Sequence, residues 1–478
     1  MAASTRLPDG PRGSRLFGVV PELRRDPLRF LQSIYDQFGP IVGLRVPLRP
    51  AVAVFGPEPT ADLLLAPTRE LDKAALIQRP YKRIAGTGTI TADAEDHKLH
   101  RRVVVRAFQN QYLRGYQACM RDTTRDVLAG WQPGRELDLV PEITALSKRV
   151  ATRVLLGQDM VAEPSELSRA LDLVSEVLDA PSRLLPSVAI PIDVPGVSEG
   201  RTLRRSVAIV REGLARLIER EEAREHRSIA HTLLAVGRDQ SRDWGIEQVM
   251  ANVIQLFLTG YDTTSCAATW TLYLLSQHPA ARAALVAELR EQLGDRDPEM
   301  ADLGALDYLD AVVKESLRLY PTGPFGFRVA REPVTLGGWD LPRGTILVFS
   351  PWVTHRIASV FPEPAAFKPE RFLGQRSYPR GAYIPFGLGA RSCVGATFST
   401  LQIKTVIAMV LRRFRLEVLP GQDIKAVSKA AIHLEPGLRV LLMAATAGRD
   451  GEPGGAEDRD VTPPAARDRT DHAAATAR

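Results

Sequence analysis

One long apolar segment restricts the fold of this chain more than any other feature. Between Gln248 and Gln277, Asp262 is the only charged residue. The pattern predicts a helix from about Trp244 to His278 that stops at Pro279, because proline does not continue a helix. A helix that is apolar on every side either lies inside a large protein or spans a membrane. Since an aspartate near the middle of a membrane span costs roughly 3 kcal/mol, we predict a helix buried in a large core.

Small residues form one face of this predicted helix. Gly260, Thr263, Thr264 and Ala267 are spaced at i, i+3, i+4 and i+7, so they share one side. A glycine in a helix interior costs about 1 kcal/mol relative to alanine. The face therefore predicts either a flat group bound close to the helix or tight helix–helix packing, and the spacing alone favours neither.

The rest of the chain is mainly helical in pattern, with a smaller β-rich part. Residues 41–46 and 51–56 predict a β-hairpin, helical periodicity dominates as far as Leu319, and short strands follow. No linker separates these parts. We therefore predict a mainly α fold with a smaller β-rich subdomain, formed as one unit.

Composition limits the domain organisation and the class of function. We expect one catalytic domain over residues 21–446, a partly disordered segment at 1–20 and a disordered, Gly-, Pro- and Ala-rich tail at 447–478. A net charge of +6 over 478 residues does not indicate nucleic acid binding. Three widely separated cysteines argue for a reducing compartment. Because the first residues lack the apolar stretch of a signal peptide or membrane anchor, we expect a cytoplasmic protein.

A glycine-rich loop, PFGLGARSCVG at 385–395 and called here the cysteine loop, precedes a predicted helix. The positive end of that helix favours the thiolate form of Cys393. Arg391 can form a bidentate bond to a carboxylate. The loop's glycines let the backbone lie against a bulky group; they are Gly387, Gly389 and Gly395. A thiolate, a flat neighbour and a carboxylate together indicate iron protoporphyrin held by an axial cysteine.

The other two cysteines receive a different interpretation. Cys119 and Cys266 each fall within a helical pattern, and an unpaired cysteine there usually behaves as a small core residue. Cys393 does not fit that interpretation, because five positions of its loop match one pattern together; they are Phe386, Gly389, Arg391, Cys393 and Gly395.

That pattern, FxxGxRxCxG, resembles the haem-binding loop of the cytochrome P450 family. Further segments resemble the family in the same order along roughly residues 7–445. They are EDHKLHRRV at 95–103, TGYDTT at 259–264, ESLR at 315–318, FRVA at 327–330 and PERF at 369–372. The resemblance implies the P450 fold, a triangular α-helical prism around haem b, with Cys393 as the metal ligand.

The resemblance also implies roles for individual residues. Glu315, Arg318 and Arg371 would form a buried charged triad that is structural rather than chemical. The residues implied to contact the cofactor, besides Cys393, are His97, Arg101, Gly260, Arg328, Phe386, Gly387, Arg391 and Gly395. For His97 and Arg101 alone, a solvated basic helix is the simpler interpretation.

Oxygen activation is the chemistry that the resemblance implies. An iron–thiolate favours cleavage of the O–O bond of dioxygen, and that cleavage needs two protons. Asp262 and Thr263 have the family's positions for delivering them, since a buried acid beside an alcohol suits proton delivery. The alternative for Thr263 is a hydrogen bond to the carbonyl of Thr259 that only bends the helix.

Two positions depart from the family pattern. Thr259 stands where the family usually has Ala or Gly, and Gln402 stands where many members have an acidic residue. We expect the first to affect the oxygen site and the second to be silent for chemistry.

The substrate implied by the resemblance is a small apolar molecule. The family positions that would line its pocket are Leu76, Ile77, Leu185, Thr259, Phe325 and Phe327. A terpenoid, a fatty acid or a polyketide-like molecule fits such a lining, and bacterial secondary metabolism is the expected setting.

Electrons must come from another protein, because the chain has no flavin or iron–sulfur motif. We expect a ferredoxin with its NAD(P)H-dependent reductase, or a flavodoxin, acting on a monomer. The candidates for a basic docking face are Lys98, Arg102, Arg106, Lys404, Arg412 and Arg413, and the alternative for each of them is a solvated surface with no partner role. The alternatives to a monooxygenase are a peroxide-driven or rearranging haem-thiolate enzyme and a non-catalytic haem-binding protein.

Replacing Cys393 by alanine tests the central expectation. We expect purified, reduced protein under carbon monoxide to show the red-shifted Soret band of thiolate ligation, and Cys393→Ala to lose it because no other residue replaces the sulfur. Cys119→Ala is the matched control and should keep the band. An unchanged spectrum in Cys393→Ala would contradict the assignment.

Overall fold

The computed structural model describes residues 7–47, 49–73, 75–162, 165–179, 198–221, 228–242, 244–374 and 377–445. Its helices are α1 Val20–Arg25, α2 Pro27–Phe38, α3 Pro57–Leu65, α4 Ala75–Ala85, α5 Ala94–Ala107, α6 Asn110–Leu128, α7 Leu139–Leu156, α8 Glu166–Asp179, α9 Ser198–Glu221, α10 Ile229–Gln240, α11 Ile246–Gln277, α12 Pro279–Leu293, α13 Met300–Ala305, α14 Asp307–Leu319, α15 Pro351–Thr354 and α16 Ala396–Arg413. Short 3-10 turns lie at Pro369–Phe372 and Gly389–Arg391. Leu185 and the tail from 446 onward lie outside the described residues.

Short strands form small sheets beside the helices. They are β1 Ile41–Val46, β2 Arg49–Val54, β3 Leu71–Asp72, β4 Glu136–Asp138, β5 Gly326–Ala330, β6 Val334–Leu336, β7 Trp339–Leu341, β8 Ile346–Phe349, β9 Phe414–Val418, β10 Lys425–Ser428, β11 Ile432–Glu435 and β12 Arg439–Ala444. One sheet has the order β1-β2-β8-β5-β3, in which β2 and β8 are parallel, and another has the order β4-β12-β9. The predicted fold class, mainly helical with a smaller β-rich part, is confirmed, and the predicted N-terminal hairpin is β1–β2.

Helix α11, called here the central helix, runs through the core. Trp270 donates a hydrogen bond to the Ile432 carbonyl (3.0 Å) and stacks on Tyr320 with ring centroids 3.7 Å apart. Most residues from Val249 to Leu275 are buried. Among the described residues, no helix combines the length and apolarity needed to cross a membrane.

Two amides on the central helix hold the loop at 86–92. Asn252 Oδ1 accepts hydrogen bonds from the backbone N–H (2.9 Å) and the hydroxyl (2.7 Å) of Thr89. Gln255 Oε1 accepts from the N–H of Ile90 (2.8 Å), and its amide group donates to the carbonyl of Gly86 (3.1 Å). Buried polar groups are tolerated when they are hydrogen-bonded, so these amides fix the loop against the helix.

A buried ion cluster joins α14 to the segment before the cysteine loop. Arg318 donates to both carboxylate oxygens of Glu315, at 2.7 and 2.8 Å, and both side chains are fully buried. Arg371 adds a third contact to Glu315 at 3.2 Å. The remaining Arg318 donors bond to backbone carbonyls, which are those of His355, Pro364 and Ala366. Because its donors are satisfied, the cluster supports the fold instead of leaving buried charges unpaired.

His355 links this cluster, through two hydrogen bonds, to the segment that leads into the cysteine loop. Its Nε2 accepts the Ile384 N–H at 2.8 Å, so Nδ1 carries the proton and donates to the Arg318 carbonyl at 3.2 Å. Burial and the neighbouring Arg318 guanidinium lower the pKa of His355 to about 3. The ring therefore stays neutral and keeps this tautomer at neutral pH.

Removing the central carboxylate should be among the most damaging single changes in the chain. In Glu315→Ala, Arg318 and Arg371 remain buried with no acid, so we expect the free energy of unfolding to fall by about 3–5 kcal/mol, measured by urea denaturation. The control is Glu95→Ala, which breaks an exposed contact to Lys98 and should leave that free energy nearly unchanged. Equal losses in both variants would contradict the role of the cluster.

Candidate active site

The middle of the central helix has one face that is not fully covered. Leu256, Thr259, Gly260 and Thr263 are half-buried, whereas the helix on either side is almost entirely buried. Their spacing of i, i+3, i+4 and i+7 places them on one side. A Cβ built on Gly260 meets no atom within 4 Å. This face therefore borders open space. It shares Gly260 and Thr263 with the predicted small-residue face, whose other members, Thr264 and Ala267, are buried against neighbouring segments.

The cysteine loop borders the same region. The Thr264 and Ser399 hydroxyls, from the central helix and α16, lie 3.0 Å apart. Beyond that contact, Phe386, Val394 and Phe398 are only partly buried and the Cys393 side chain is exposed. The loop and the helix face thus meet at one edge and leave a gap between them.

Backbone geometry explains the glycines of the loop. Gly387 and Gly389 have φ values of 70° and 74°, in the region that L-residues rarely adopt. A Cβ on Gly389 would also lie 2.1 Å from the Leu64 carbonyl oxygen. The Cys393 N–H donates to the Phe386 carbonyl at 2.8 Å, which closes the loop and fixes where the sulfur lies.

The electrostatics of Cys393 correct the expectation of a free thiolate. The protein atoms around Cys393 desolvate its thiol and raise its pKa even though the side chain opens onto the gap, whereas the Gly395 N–H and the cations Arg101 and Lys73 act in the opposite direction. The loop alone therefore does not favour the thiolate. A metal ion bound at the sulfur would, because a coordinating thiol is deprotonated by the metal's charge.

Basic side chains gather beside the sulfur. Arg101 donates to the carbonyl (2.7 Å) and the hydroxyl (2.9 Å) of Ser392. Burial and the Arg391 and Arg328 guanidinium groups lower the pKa of Lys73 to about 7. Burial and Arg391 likewise lower the pKa of Arg328 to about 10. Burial, with the cations around it, also lowers the pKa of His97 to about 3.

Asp72 is the acid at the centre of this group. It forms an ion pair with Arg391 at 2.8 Å, and both side chains are almost fully buried. Asp72 also contacts Arg331 at 3.1 Å. The chain itself thus supplies one carboxylate partner for Arg391, beside any that a cofactor would bring. Positive charge around the site exceeds what this one acid can balance.

Asp72 and Lys73 were missed in the sequence because no motif spacing marks them. They reach the site through strand pairing, in which Leu71 lies opposite Ala330 and Asp72 opposite Val329.

The acid–alcohol pair lies in the middle of the central helix. The Thr263 hydroxyl donates to the Thr259 carbonyl at 2.8 Å, the bond that the alternative interpretation predicted. The Thr259 hydroxyl donates in turn to the Gln255 carbonyl at 2.7 Å. Asp262 is buried and points to another neighbour, His433, with Oδ2 and Nε2 3.1 Å apart.

The predicted pocket residues are only partly described. Phe325 and Phe327 contact each other edge to face, with ring centroids 5.6 Å apart, and both are half-buried. Leu76 and Ile77 belong to α4, and their side chains are outside the described residues, as is Leu185.

The predicted docking face is wrong at Lys404. Its side chain is buried, lies 2.6 Å from Asp310 and donates to the Leu303 carbonyl. Arg412 and Arg413 both contact Asp297, at 3.4 and 3.5 Å. The charges on α16 are therefore largely paired within the chain.

Gln402 is buried in the same helix. Its amide donates to the Ser147 hydroxyl at 3.1 Å, a contact between α16 and α7 away from the cysteine loop. This packing role agrees with the expectation that the residue is silent for chemistry.

Comparison with known proteins supports the family that the sequence resembles. Residues 8–442 match the family model for cytochrome P450. The chain is 32% identical to cyclooctatin synthase of Streptomyces melanosporofaciens, over 90% of this chain and 94% of that protein. It is 31% identical to cyclooctat-9-en-7-ol 5-monooxygenase of the same organism, over 86% and 90%. With pentalenene oxygenase of Streptomyces avermitilis it shares 29% identity, over 90% and 97%.

A solved structure has the same fold. Retinoic acid bound cyanobacterial CYP120A1 superposes with a TM-score of 0.81 over 92% of this chain and 100% of that chain, at 22% identity. Fold, cysteine loop and helix face together define a haem-thiolate oxidoreductase. The chain belongs to the cytochrome P450 family, as its sequence predicted, and is a monooxygenase of that family.

The residues present fit a haem group. The half-exposed helix face, the open space at Gly260 and the exposed sulfur of Cys393 suit a flat, metal-bearing molecule. The arginines around Asp72, which outnumber that acid, suit the two carboxylates of haem. The open helix face, the cysteine loop and the positive charge around Asp72 therefore all fit a single bound molecule.

Two glycine variants test whether the helix face is open. We expect Gly260→Ala to leave the free energy of unfolding unchanged or up to about 1 kcal/mol higher, because alanine favours the helix and its Cβ meets nothing. Gly237→Ala, in helix α10, is the matched control, since its Cβ would lie 2.0 Å from Trp244. We expect clear destabilisation there in urea denaturation. Similar destabilisation by both changes would show that Gly260 is packed.

Proposed function

We propose that this chain oxygenates a terpenoid, using dioxygen, haem b and electrons from a separate redox partner, in bacterial secondary metabolism. The observation that carries the proposal is the half-exposed face of the central helix opposite the cysteine loop. The acid–alcohol pair of this proposal, Asp262 and Thr263, lies on the same helix, with Thr263 on the open face and Asp262 buried next to it. A peroxide-driven enzyme would have no use for such a pair.

In this proposal the chain's own residues hold the cofactor. Cys393 ligates the iron, and Phe386, Gly387, Gly395 and Gly260 leave room for the ring. The cofactor's carboxylates bind the basic group, which comprises Lys73, His97, Arg101, Arg328 and Arg391. Haem supplies dioxygen binding and cleavage of its O–O bond.

The protein's part in the reaction is to supply protons and exclude water. Asp262 is the buried acid, and Thr263 follows it in the chain on the open face of the helix. Glu315, Arg318 and Arg371 act at a distance, since they fix the segment that leads into the cysteine loop.

Two observations support the proposed substrate class, namely the side chains near the open helix face and the names of the similar proteins. The open face itself is apolar or hydroxylic, with Leu256 and Thr259, and the resemblance to the family adds Phe325 and Phe327 to the lining. The names of the similar proteins refer to cyclooctatin, cyclooctat-9-en-7-ol and pentalenene. A hydrocarbon or a sparingly hydroxylated terpenoid needs few polar partners, which is what this lining provides.

Electrons come in this proposal from a ferredoxin and its NAD(P)H-dependent reductase, or from a flavodoxin. Such partners are acidic and would meet exposed basic groups. The pairing of Lys404, Arg412 and Arg413 restricts the candidates to α5, where Lys98 and Arg106 have exposed side chains that form ion pairs only with exposed acids.

Spectral titration tests the substrate class. We expect cyclic terpene hydrocarbons and monohydroxylated terpenoids to displace water from the iron and shift the Soret band at micromolar concentration. With ferredoxin, reductase, NAD(P)H and labelled dioxygen, the product should gain one labelled oxygen atom. A fatty acid of similar carbon number is the matched control and should give a weaker shift. If fatty acids bind and turn over while terpenoids do neither, the terpenoid assignment is wrong.

A further inference from the structure

The carboxylate of Asp262 has one neighbour that can bond to it from outside its own helix. Asp262 Oδ2 lies 3.1 Å from Nε2 of His433, on strand β11. Both atoms are buried, and among the described residues neither makes a hydrogen bond of regular geometry, not even with the other. Leaving a buried polar atom unpaired costs about 1–3 kcal/mol. The 3.1 Å approach of Nε2 therefore puts a possible donor beside an acid oxygen that is otherwise unpaired.

The strand is held so that His433 faces Asp262. Asp262, Cys266 and Trp270 are spaced four residues apart and lie on one side of the central helix. Trp270 donates to the carbonyl of Ile432, the residue before His433. Asp262, Cys266 and His433 have donor atoms within 4.8 Å of one another. Backbone anchoring thus sets the register in which the imidazole meets the carboxylate.

His433 lies closer to solvent than Asp262 does. Its side chain is 19% exposed, and that of Asp262 is 11% exposed. Histidine is the side chain whose charge most readily changes near neutral pH. An acid that gives up a proton inside a core must receive another before the next turnover, and His433 is the titratable group next to it on the solvent side.

The geometry points to His433 as a positioning residue for Asp262, one that holds the carboxylate and returns its proton. This inference rests on the proposed oxygenation. A protonated His433 gives its Nε2 proton to Asp262 Oδ2 after Asp262 has passed a proton towards Thr263. The neutral imidazole then takes a proton from solvent, so that one proton enters for each proton delivered and no electrons move.

The experiment compares four forms of the holoenzyme. They are wild type, His433→Asn, Asp262→Asn and the double variant Asp262→Asn/His433→Asn. Asparagine keeps a hydrogen-bond donor at position 433 but does not titrate. His278→Asn is the matched control, because His278 is half-buried at the far end of the same helix and bonds there to the Leu274 carbonyl.

We expect His433→Asn to reduce the kcat of NAD(P)H-driven product formation about tenfold with little change in KM. More of the electrons should appear as hydrogen peroxide, and the solvent deuterium isotope effect on kcat should increase. Turnover with iodosylbenzene, a single-oxygen donor that needs no proton delivery, should change less than twofold. A chelator is present throughout, since the same three side chains could bind an adventitious divalent metal.

The double variant shows whether His433 acts through Asp262. We expect it to be no slower than Asp262→Asn alone. Independently of turnover, the loss of unfolding free energy in the double variant should differ from the sum of the losses in the two single variants, as for side chains in contact.

The outcomes separate this inference from the proposed function. Wild-type protein that lacks the thiolate–carbon monoxide spectrum, or that oxygenates no terpenoid, would overturn the proposed function. If wild type is active and His433→Asn matches His278→Asn in coupling and isotope effect, the role of His433 is overturned alone. Additive losses in the double variant, or an equal loss with iodosylbenzene, would also overturn it.

Discussion

The buried carboxylate of Glu315 is the interaction on which the rest of the structure depends. It balances Arg318 and Arg371 where water is excluded, so each guanidinium must keep its partners. Arg318 also donates to three backbone carbonyls. His355 joins the backbone carbonyl of Arg318 to the backbone N–H of Ile384. Apolar packing alone would let these segments slide against each other. A satisfied ionic network does not, because any displacement leaves a charge or a carbonyl unpaired, and so the cysteine loop begins at a defined place.

The ionisable groups beside Cys393 are not balanced by partners in the way that Glu315 balances its arginines. Burial depresses the pKa of Lys73, Arg328 and His97, which means that their charged forms are destabilised as the chain stands. Burial also raises the pKa of Cys393, which destabilises the thiolate. A molecule that carries both a metal and carboxylates relieves these opposite costs at once. Its binding energy is then part of the folding energy, which ties the stability of this region to the cofactor.

Sequence reasoning succeeded where the chemistry is local and failed where strand pairing or helix burial decided the outcome. The cysteine loop and the Glu315–Arg318 pair lie within a few residues, so their spacing could be read directly. Asp72 and His433 enter the site from separate strands, β3 and β11, and nothing near them in the chain marks their role. Lys404 was expected at the surface because of its charge, but its helix is buried on all sides and Asp310 pairs with it.

The polar residues of the central helix divide into those that bond inside the helix and those that reach outside it. The hydroxyls of Thr259 and Thr263 donate to carbonyls one turn back, so they add little cost to a buried helix. Asn252 bonds instead to Thr89 in another segment, and the Asp262 carboxylate lies 3.1 Å from His433 without a regular hydrogen bond.

This division limits how a proton can cross the helix. Successive residues project about 100° apart around a helix, so Asp262 and Thr263 face different sides. The Thr263 hydroxyl has its proton on the Thr259 carbonyl, and in that state it can accept a hydrogen bond on the open face but cannot donate one. In the proposed reaction, Thr263 can pass on a proton only after its hydroxyl rotates away from that carbonyl. The resting hydrogen bond of Thr263 is thus one that the proposed reaction would have to break.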